Sequence, residues 1–127
     1  MSFFEYAASL RRMLAGILQS GLAVAADLEE RPKSATLGYV RISLRFVDGS
    51  ELQAREYVDT SLSEPRLMYA YHYHDAKQQM VFRYDNAAHR PAPAKAEHKH
   101  IRDGLELAPP PTFEQLLKEI VALLPKP

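Results

Sequence analysis

Apolar positions recur with a helical period at the start of the chain. In "SFFEYAASLRRMLAGILQSG" they fall on one stripe of a helix, because they are mostly three or four residues apart. Ser2 and Glu5 have the spacing of a capping box. The pattern predicts an amphipathic helix that ends near Gly21 and carries on its stripe Phe3, Tyr6, Ala7, Leu10, Leu14, Ile17 and Leu18.

The next stretch, "LAVAADLEERP", is short and apolar before it turns acidic. Pro32 excludes a helix that runs through it, because proline lacks an amide hydrogen and clashes with the preceding turn. We expect an edge strand here, and further helix is the alternative.

From Gly38 the period changes to two, which predicts a strand whose buried face carries Val40, Ile42, Leu44 and Phe46. A hairpin follows. A bulged turn with Gly49 in the left-handed position places Leu44 opposite Leu52 and keeps one face apolar. A two-residue loop would instead place Leu44 opposite Gln53, so we expect the bulged turn.

The bulged register has a consequence for the charged residues of the hairpin. It places Glu56 opposite Val40, so that a carboxylate falls on the apolar face. Arg41 and Arg55 then share the other face. Glu56 is therefore the exceptional residue of the predicted core.

Two further strands are predicted at "RLMYAYHYH" and "QMVFRYD", joined through "DAKQ". An even-length loop puts two sets of residues on opposite faces. The predicted core face carries Tyr69, Tyr71, Tyr73, Met80, Phe82 and Tyr84. The other face carries His72, His74, Val81 and Arg83.

Regular alternation stops after Asn86. The segment from Arg83 to Ile101 holds three of the five histidines and two prolines, and we expect no regular structure in it. A loop of this length is usually functional or disordered. Beyond it we expect only a short extended piece in "HIRDGLEL". A final helix is predicted from Thr112, an N-cap candidate with Gln115 three residues on, and its inward residues are Phe113, Leu116, Leu117, Ile120, Val121 and Leu124.

These elements predict an α+β fold. Its antiparallel meander of four or five strands would be covered on one face by the N-terminal and C-terminal helices. The 127 residues, of which 46% are hydrophobic, fit one domain spanning residues 1–127.

Composition narrows the classes of function. Sixteen basic and sixteen acidic residues give no net charge, so an anionic partner must be bound by a local patch. The absence of cysteine excludes disulfides and thiolate chemistry and fits a reducing cytosol. Glu5, Arg11 and Arg12 interrupt the apolar start, which is not typical of a signal peptide or a membrane span. We expect a cytoplasmic protein without a membrane partner.

The histidines allow two kinds of chemistry. His72 with His74, and His98 with His100, could each direct two imidazoles toward a metal ion. However, no acidic cluster lies at ligand spacing, and Lys99 between two of these histidines would repel a cation. We expect no metal and no other cofactor.

The second kind is proton transfer at a phosphate without a metal. Arg83 and Lys99 could contact the anion, and Glu56 or Asp85 could orient an imidazole. Alternatively, Arg83 and Asp85 simply pair on the strand surface and the loop histidines are solvated. The candidates for proton transfer are His89, His98 and His100.

Four stretches in this order, "LRFVDGSELQAREYV", "YAYHYHDA", "VFRYDNAAH" and "HKHI", resemble the TumE-like family of small bacterial toxin components. The resemblance covers most of the chain from Gly38 to Leu124. It implies a toxin that is encoded beside a helix-turn-helix antitoxin and that attacks RNA. The alternative function is a noncatalytic protein whose polar face and loop bind a protein or nucleic acid.

The resemblance also implies a set of functional residues. Glu97 stands where family members have a histidine, and Ala88 where they usually have proline. This leaves His98 and His100 as the favoured proton carriers. The family's polar signature falls here on Arg55, Glu56, Tyr71, His72, Arg83, Asp85, Asn86, His89, His98, Lys99 and His100.

Overall fold

Two helices pack on one face of an antiparallel sheet in the computed structural model, which describes residues 1–86, 98–102 and 104–125. Among these residues each strand pairs with its sequence neighbours, in the order β1 to β7. The α+β meander is confirmed, but the predicted number of four or five strands is wrong, because the described residues form seven. The elements are α1 (Phe3–Gln19), β1 (Ala23–Pro32), β2 (Leu37–Phe46), β3 (Glu51–Asp59), β4 (Arg66–His74), β5 (Met80–Asp85), β6 (His98–Ile101), β7 (Gly104–Leu107) and α2 (Phe113–Leu123).

Helix α1 begins with the predicted capping box. The Ser2 hydroxyl accepts a hydrogen bond from the Glu5 amide, and the Glu5 carboxylate accepts one from the Ser2 amide, both at 3.0 Å. The helix packs against β1 and β2. Phe3 lies over Gly38 so closely that a Cβ there would be 2.5 Å from its ring. A larger residue at this position would require the Phe3 ring or the helix to move.

The β2–β3 hairpin has the bulged register that the sequence predicts. Leu44 pairs with Leu52, and Val40 pairs with Glu56. Gly49 has a φ of +88°, in the left-handed region. The apolar faces of both strands therefore point the same way, and Glu56 lies among them.

The β4–β5 pairing follows the predicted tyrosine face over most of its length. Tyr71 pairs with Tyr84, and Tyr73 pairs with Phe82. The register then shifts, so that Met80 pairs with His74. This last pairing departs from the predicted alternation.

The strand predicted at "QMVFRYD" is confirmed from Met80 to Asp85. The expectation of an irregular segment up to Ile101 is wrong at its C-terminal end, where His98–Ile101 forms β6 between β5 and β7. Polar residues occur on both faces of β6, so alternation of apolar and polar residues could not reveal it. Its strand structure depends instead on backbone pairing with neighbours on both sides.

Both helices lie on the apolar face of the sheet. Helix α2 has the predicted cap, in which Thr112 and Gln115 exchange hydrogen bonds. The buried α2 residues Phe113, Leu116 and Ile120 join the same core as α1 and the tyrosines. The opposite side of the sheet, called the open face below, has neither helix packed on it.

Candidate functional site

The open face concentrates cationic and aromatic side chains on a chain without net charge. Strand alternation directs them away from the two helices. Nine residues of the open face lie on strands β2 to β6 and carry a charged, imidazole or phenol group: Tyr39, Arg41, Arg55, Tyr57, His72, His74, Arg83, Asp85 and His100.

A row of three residues crosses the middle of this face. His72 on β4 pairs with Arg83 on β5, and Arg83 pairs with His100 on β6. Neighbouring strands are about 4.8 Å apart, so the backbones of the two histidines are separated by about 10 Å. We call His72, Arg83 and His100 the central row.

Asp85 holds two members of the central row. Its Oδ2 lies 3.0 Å from Nε of Arg83 and 3.2 Å from Nε2 of His100. Only 1% of the Asp85 side chain is exposed, whereas Arg83 and His100 retain 38% and 27%. A buried carboxylate thus anchors a partly exposed guanidinium group and a partly exposed imidazole. The predicted placement of Asp85 beside an imidazole agrees with this geometry.

His72 lies in a positive environment. Burial lowers the pKa of His72, and the nearby charges of His74, Arg83, Arg55 and His100 lower it further. The His72 and His74 rings are 4.1 Å apart between centroids. A lowered pKa favours a neutral imidazole near pH 7, which can accept a proton.

Arg41 and Arg55 add positive charge next to the central row, and Glu29, which lies opposite Arg41 on β1, pairs with Arg31 instead. They are register partners on β2 and β3, and both are exposed. Within the described part of the chain, neither makes an ion pair or a side-chain hydrogen bond. They line a depression of about 330 Å³ together with Gln53, Ala70, His72 and Arg83. Its charge suits an anion.

Glu56 lies on the other side of the sheet, inside the core. Tyr6 donates a hydrogen bond to its Oε1 at 2.5 Å, and Tyr71 donates one to its Oε2. Burial raises the pKa of Glu56. Its carboxylate therefore contacts two phenols, and the structure does not bring it to an imidazole of the central row.

Arg66 completes this buried group. Its Nη1 donates to the Tyr71 hydroxyl at 3.1 Å and to the Pro111 carbonyl, and its Nε lies 2.6 Å from Glu64. A cavity of about 210 Å³ lies beside Glu56 and Arg66. The sequence analysis did not single out Arg66, because its partners come from distant positions in the chain.

The remaining predicted residues are dispersed. The ammonium group of Lys99 lies on the helix-covered face, 3.0 Å from Glu119, so it is not beside His100. Asn86 binds the β4 backbone through Tyr69 and Leu67. The backbone of His98 pairs with that of Asp85. His89 lies outside the described residues.

Among the side chains that the structure describes, no three of histidine, aspartate or glutamate form a group that could hold a metal ion. No helix in the described part of the chain is long and apolar enough to cross a membrane.

Comparison with protein families relates most of this chain to one family. The family model described as "Toxin TumE" matches residues 13–125, which include all seven strands. The chain belongs to the TumE toxin family. Neither the curated proteins nor the solved structures include a match to it. Membership in a toxin family implies an antitoxin partner.

The TumE match spans the open face, where Tyr39, Arg41 and Tyr57 lie on the same side of the sheet as Arg55. The sequence pattern places Arg41 on this face, but the candidate site residues predicted from sequence do not include Arg41, Tyr39 or Tyr57. Alternation in β2 and β3 was the signal that could have found all three, because it directs them to the same side as Arg55.

Proposed function

We propose that this TumE family member is the toxin component of a toxin-antitoxin module and cleaves RNA without a metal ion. The observation that carries the proposal is the central row, in which Arg83 lies between two imidazoles. This order suits a phosphate contact between a proton acceptor and a proton donor.

The proposed reaction is an internal phosphoryl transfer. His72, with its lowered pKa, takes the proton of a ribose 2′-hydroxyl. The 2′-oxygen forms a bond to the adjacent phosphorus, and the bond from phosphorus to the 5′-oxygen breaks. His100 in its protonated form gives a proton to that 5′-oxygen. The products are a 2′,3′-cyclic phosphate and a 5′-hydroxyl, and no water is consumed in this step.

The cations around the central row have separate tasks. Arg83 stabilises charge that develops on the phosphoryl oxygens, while Asp85 keeps Arg83 and His100 in position. Arg41 and Arg55 bind the phosphates next to the cleaved one. Of the residues predicted from sequence, Arg55, His72, Arg83, Asp85 and His100 take part in this scheme. Lys99, Tyr71 and Glu56 have structural tasks in it.

The kind of antitoxin and the cellular compartment are separate parts of the proposal, because the reaction itself depends on neither. We propose that the antitoxin has a helix-turn-helix fold and that the toxin acts in the cytoplasm. A noncatalytic binding protein remains the alternative function, since a cationic face can bind RNA or an acidic protein without cleaving either.

Cleavage of a defined RNA in the presence of EDTA tests the proposal. We expect cyclic-phosphate products from the unchanged protein and none from a fully 2′-O-methylated RNA. His72→Asn and His100→Asn should each lower the rate roughly a hundredfold or more. Arg45→Gln is the matched control: Arg45 is exposed and pairs with Glu51 outside the central row, so the rate should stay within about twofold.

The outcomes separate the two functions. Loss of cleavage in EDTA that zinc or magnesium restores would overturn the metal-independent scheme. RNA or antitoxin binding by a folded protein that never cleaves RNA would support the noncatalytic alternative. Full activity in both asparagine variants would remove the central row from the reaction.

A further inference from the structure

Two tyrosines lie side by side on the open face, away from the central row. Tyr39 on β2 pairs with Tyr57 on β3. Both are partly exposed, although the next residues on the same strands, Val40 and Glu56, are buried. Along each strand the next position on the open face is an arginine of the Arg41–Arg55 pair.

We propose that Tyr39 and Tyr57 form a stacking platform for unpaired bases, so that the substrate is single-stranded RNA. This inference rests on the proposed function and names the class of its substrate. Aromatic rings beside a cationic groove are the usual means of binding single strands, because every base has a face that can stack. Bases in a duplex are already stacked and cannot be offered to such rings.

Spacing on the sheet supports a continuous path. Successive positions on one face of a strand are about 7 Å apart, so the arginine pair lies about 7 Å from the tyrosines. His72 on β4 pairs with Gln53, which is two open-face positions along β3 from Tyr57. Measured along the strand direction, His72 is therefore about 14 Å from Tyr57. A strand whose bases rest on the platform would therefore bring its next phosphates to the arginines and then to the central row.

A structural role for the tyrosine pair makes a different prediction. Cross-strand aromatic pairs stabilise sheets whether or not a ligand binds. In that case removal of the rings would lower stability and leave RNA affinity unchanged. The exposed arginines beside the rings make no ion pair within the described residues, and they favour the ligand because they supply charge complementary to a phosphate backbone.

Binding to an uncleavable probe tests the platform. The probe is a fluorescent 2′-O-methyl RNA single strand of about twelve nucleotides, compared with an abasic strand of equal length and with the matching duplex. We expect the unchanged protein to bind the base-bearing strand roughly tenfold or more tightly than the abasic strand or the duplex.

Two double variants distinguish the contribution of the tyrosine rings to RNA binding from that of their hydroxyl groups. Tyr39→Ile with Tyr57→Ile keeps branched apolar side chains suited to a strand, and it should abolish the preference for bases. Tyr39→Phe with Tyr57→Phe keeps the rings and should preserve affinity within about twofold. Equal losses in both variants would overturn stacking, because they would assign the effect to the hydroxyls.

Binding measurements on the unchanged protein also test the stacking platform without the variants. Equal affinity for base-bearing and abasic strands overturns the platform but leaves the phosphate site and cleavage intact. Tighter binding of the duplex than of the single strand overturns it as well. If the protein binds none of the strands and cleaves no RNA, the proposed function is wrong, and the stacking platform is then wrong as well.

Discussion

The hydroxyl of Tyr71 donates a hydrogen bond to Oε2 of Glu56 in the middle of the apolar core. Glu56 is 2% exposed and Tyr71 is 0% exposed. Tyr6 from α1 approaches the other carboxylate oxygen, and Arg66 binds the Tyr71 hydroxyl. The group thus joins the helix to the sheet through polar contacts where apolar packing would be usual.

Removal of one phenol should reveal the strength of this connection. In Tyr71→Phe, Glu56 loses a buried donor, and we expect the free energy of unfolding to fall by about 2–3 kcal/mol. Tyr73→Phe is the matched control, because its hydroxyl donates to the neutral Ser50 hydroxyl at 2.8 Å, and it should lower stability by only about 1 kcal/mol. Urea unfolding measures both. Equal losses would show that a hydrogen bond to the buried Glu56 carboxyl group stabilises the fold no more than one to the Ser50 hydroxyl.

The same group predicts a pH dependence. Burial raises the pKa of Glu56 in the folded state above its ordinary value of 4.5, so the folded protein binds this proton more tightly than the unfolded chain. The stabilisation is complete below the unfolded pKa and is lost as pH rises through the folded pKa.

Glu56→Gln isolates this effect. We expect the difference in unfolding free energy, unchanged protein minus variant, to decrease as pH rises from about 4.5 toward neutrality, by at most about 1.4 kcal/mol per pH unit. Urea unfolding at several pH values gives the difference, in which contributions of other carboxylates cancel. A difference that grows with pH would show instead that the folded state favours the ionised carboxylate.

Lys99 should stabilise the fold without contributing to cleavage. Its ammonium group pairs with Glu119, which also accepts a hydrogen bond from Tyr84 at 2.6 Å, so the three residues join β5, β6 and α2. Lys99→Met should lower stability by about 1–2 kcal/mol and leave the cleavage rate within about twofold.

Glu119→Gln is the companion variant for Lys99, because it removes the other charge of the pair. Its stability loss should overlap with that of Lys99→Met in a double-mutant cycle, with a coupling of about 0.5–1 kcal/mol. A hundredfold loss of cleavage in a stably folded Lys99→Met protein would return Lys99 to the active site.

Two glycines should respond to alanine in opposite ways. Gly38→Ala places a methyl group against the Phe3 ring, so we expect a loss of about 1–3 kcal/mol. Gly16 lies within α1 with nothing within 4 Å of an added Cβ, and Gly16→Ala should raise stability by about 0.5–1 kcal/mol. Thermal unfolding distinguishes the two. A neutral Gly38→Ala would mean that α1 shifts on the sheet at little cost.

Local patterns in the sequence predicted much of the fold. Alternation in β2 and β3, with Gly49 at the turn, was sufficient to set their register and to place Glu56 on the apolar face. Both capping boxes were also visible, since a cap depends on residues three apart. These features share one physical basis: the backbone period determines which face a side chain points to.

Tertiary structure decided which of these side chains meet. Strand β6 could not be recognised from its sequence because polar residues lie on both of its faces. Its pairing with β5 places His100 beside Arg83 on one face and Lys99 beside Tyr84 on the other. The partners of Glu56 come from α1 and β4, and the central row comes from three strands. A sequence pattern gives the direction of a side chain within its own strand. Its neighbours across the sheet and under a helix are fixed by long-range packing of the whole chain.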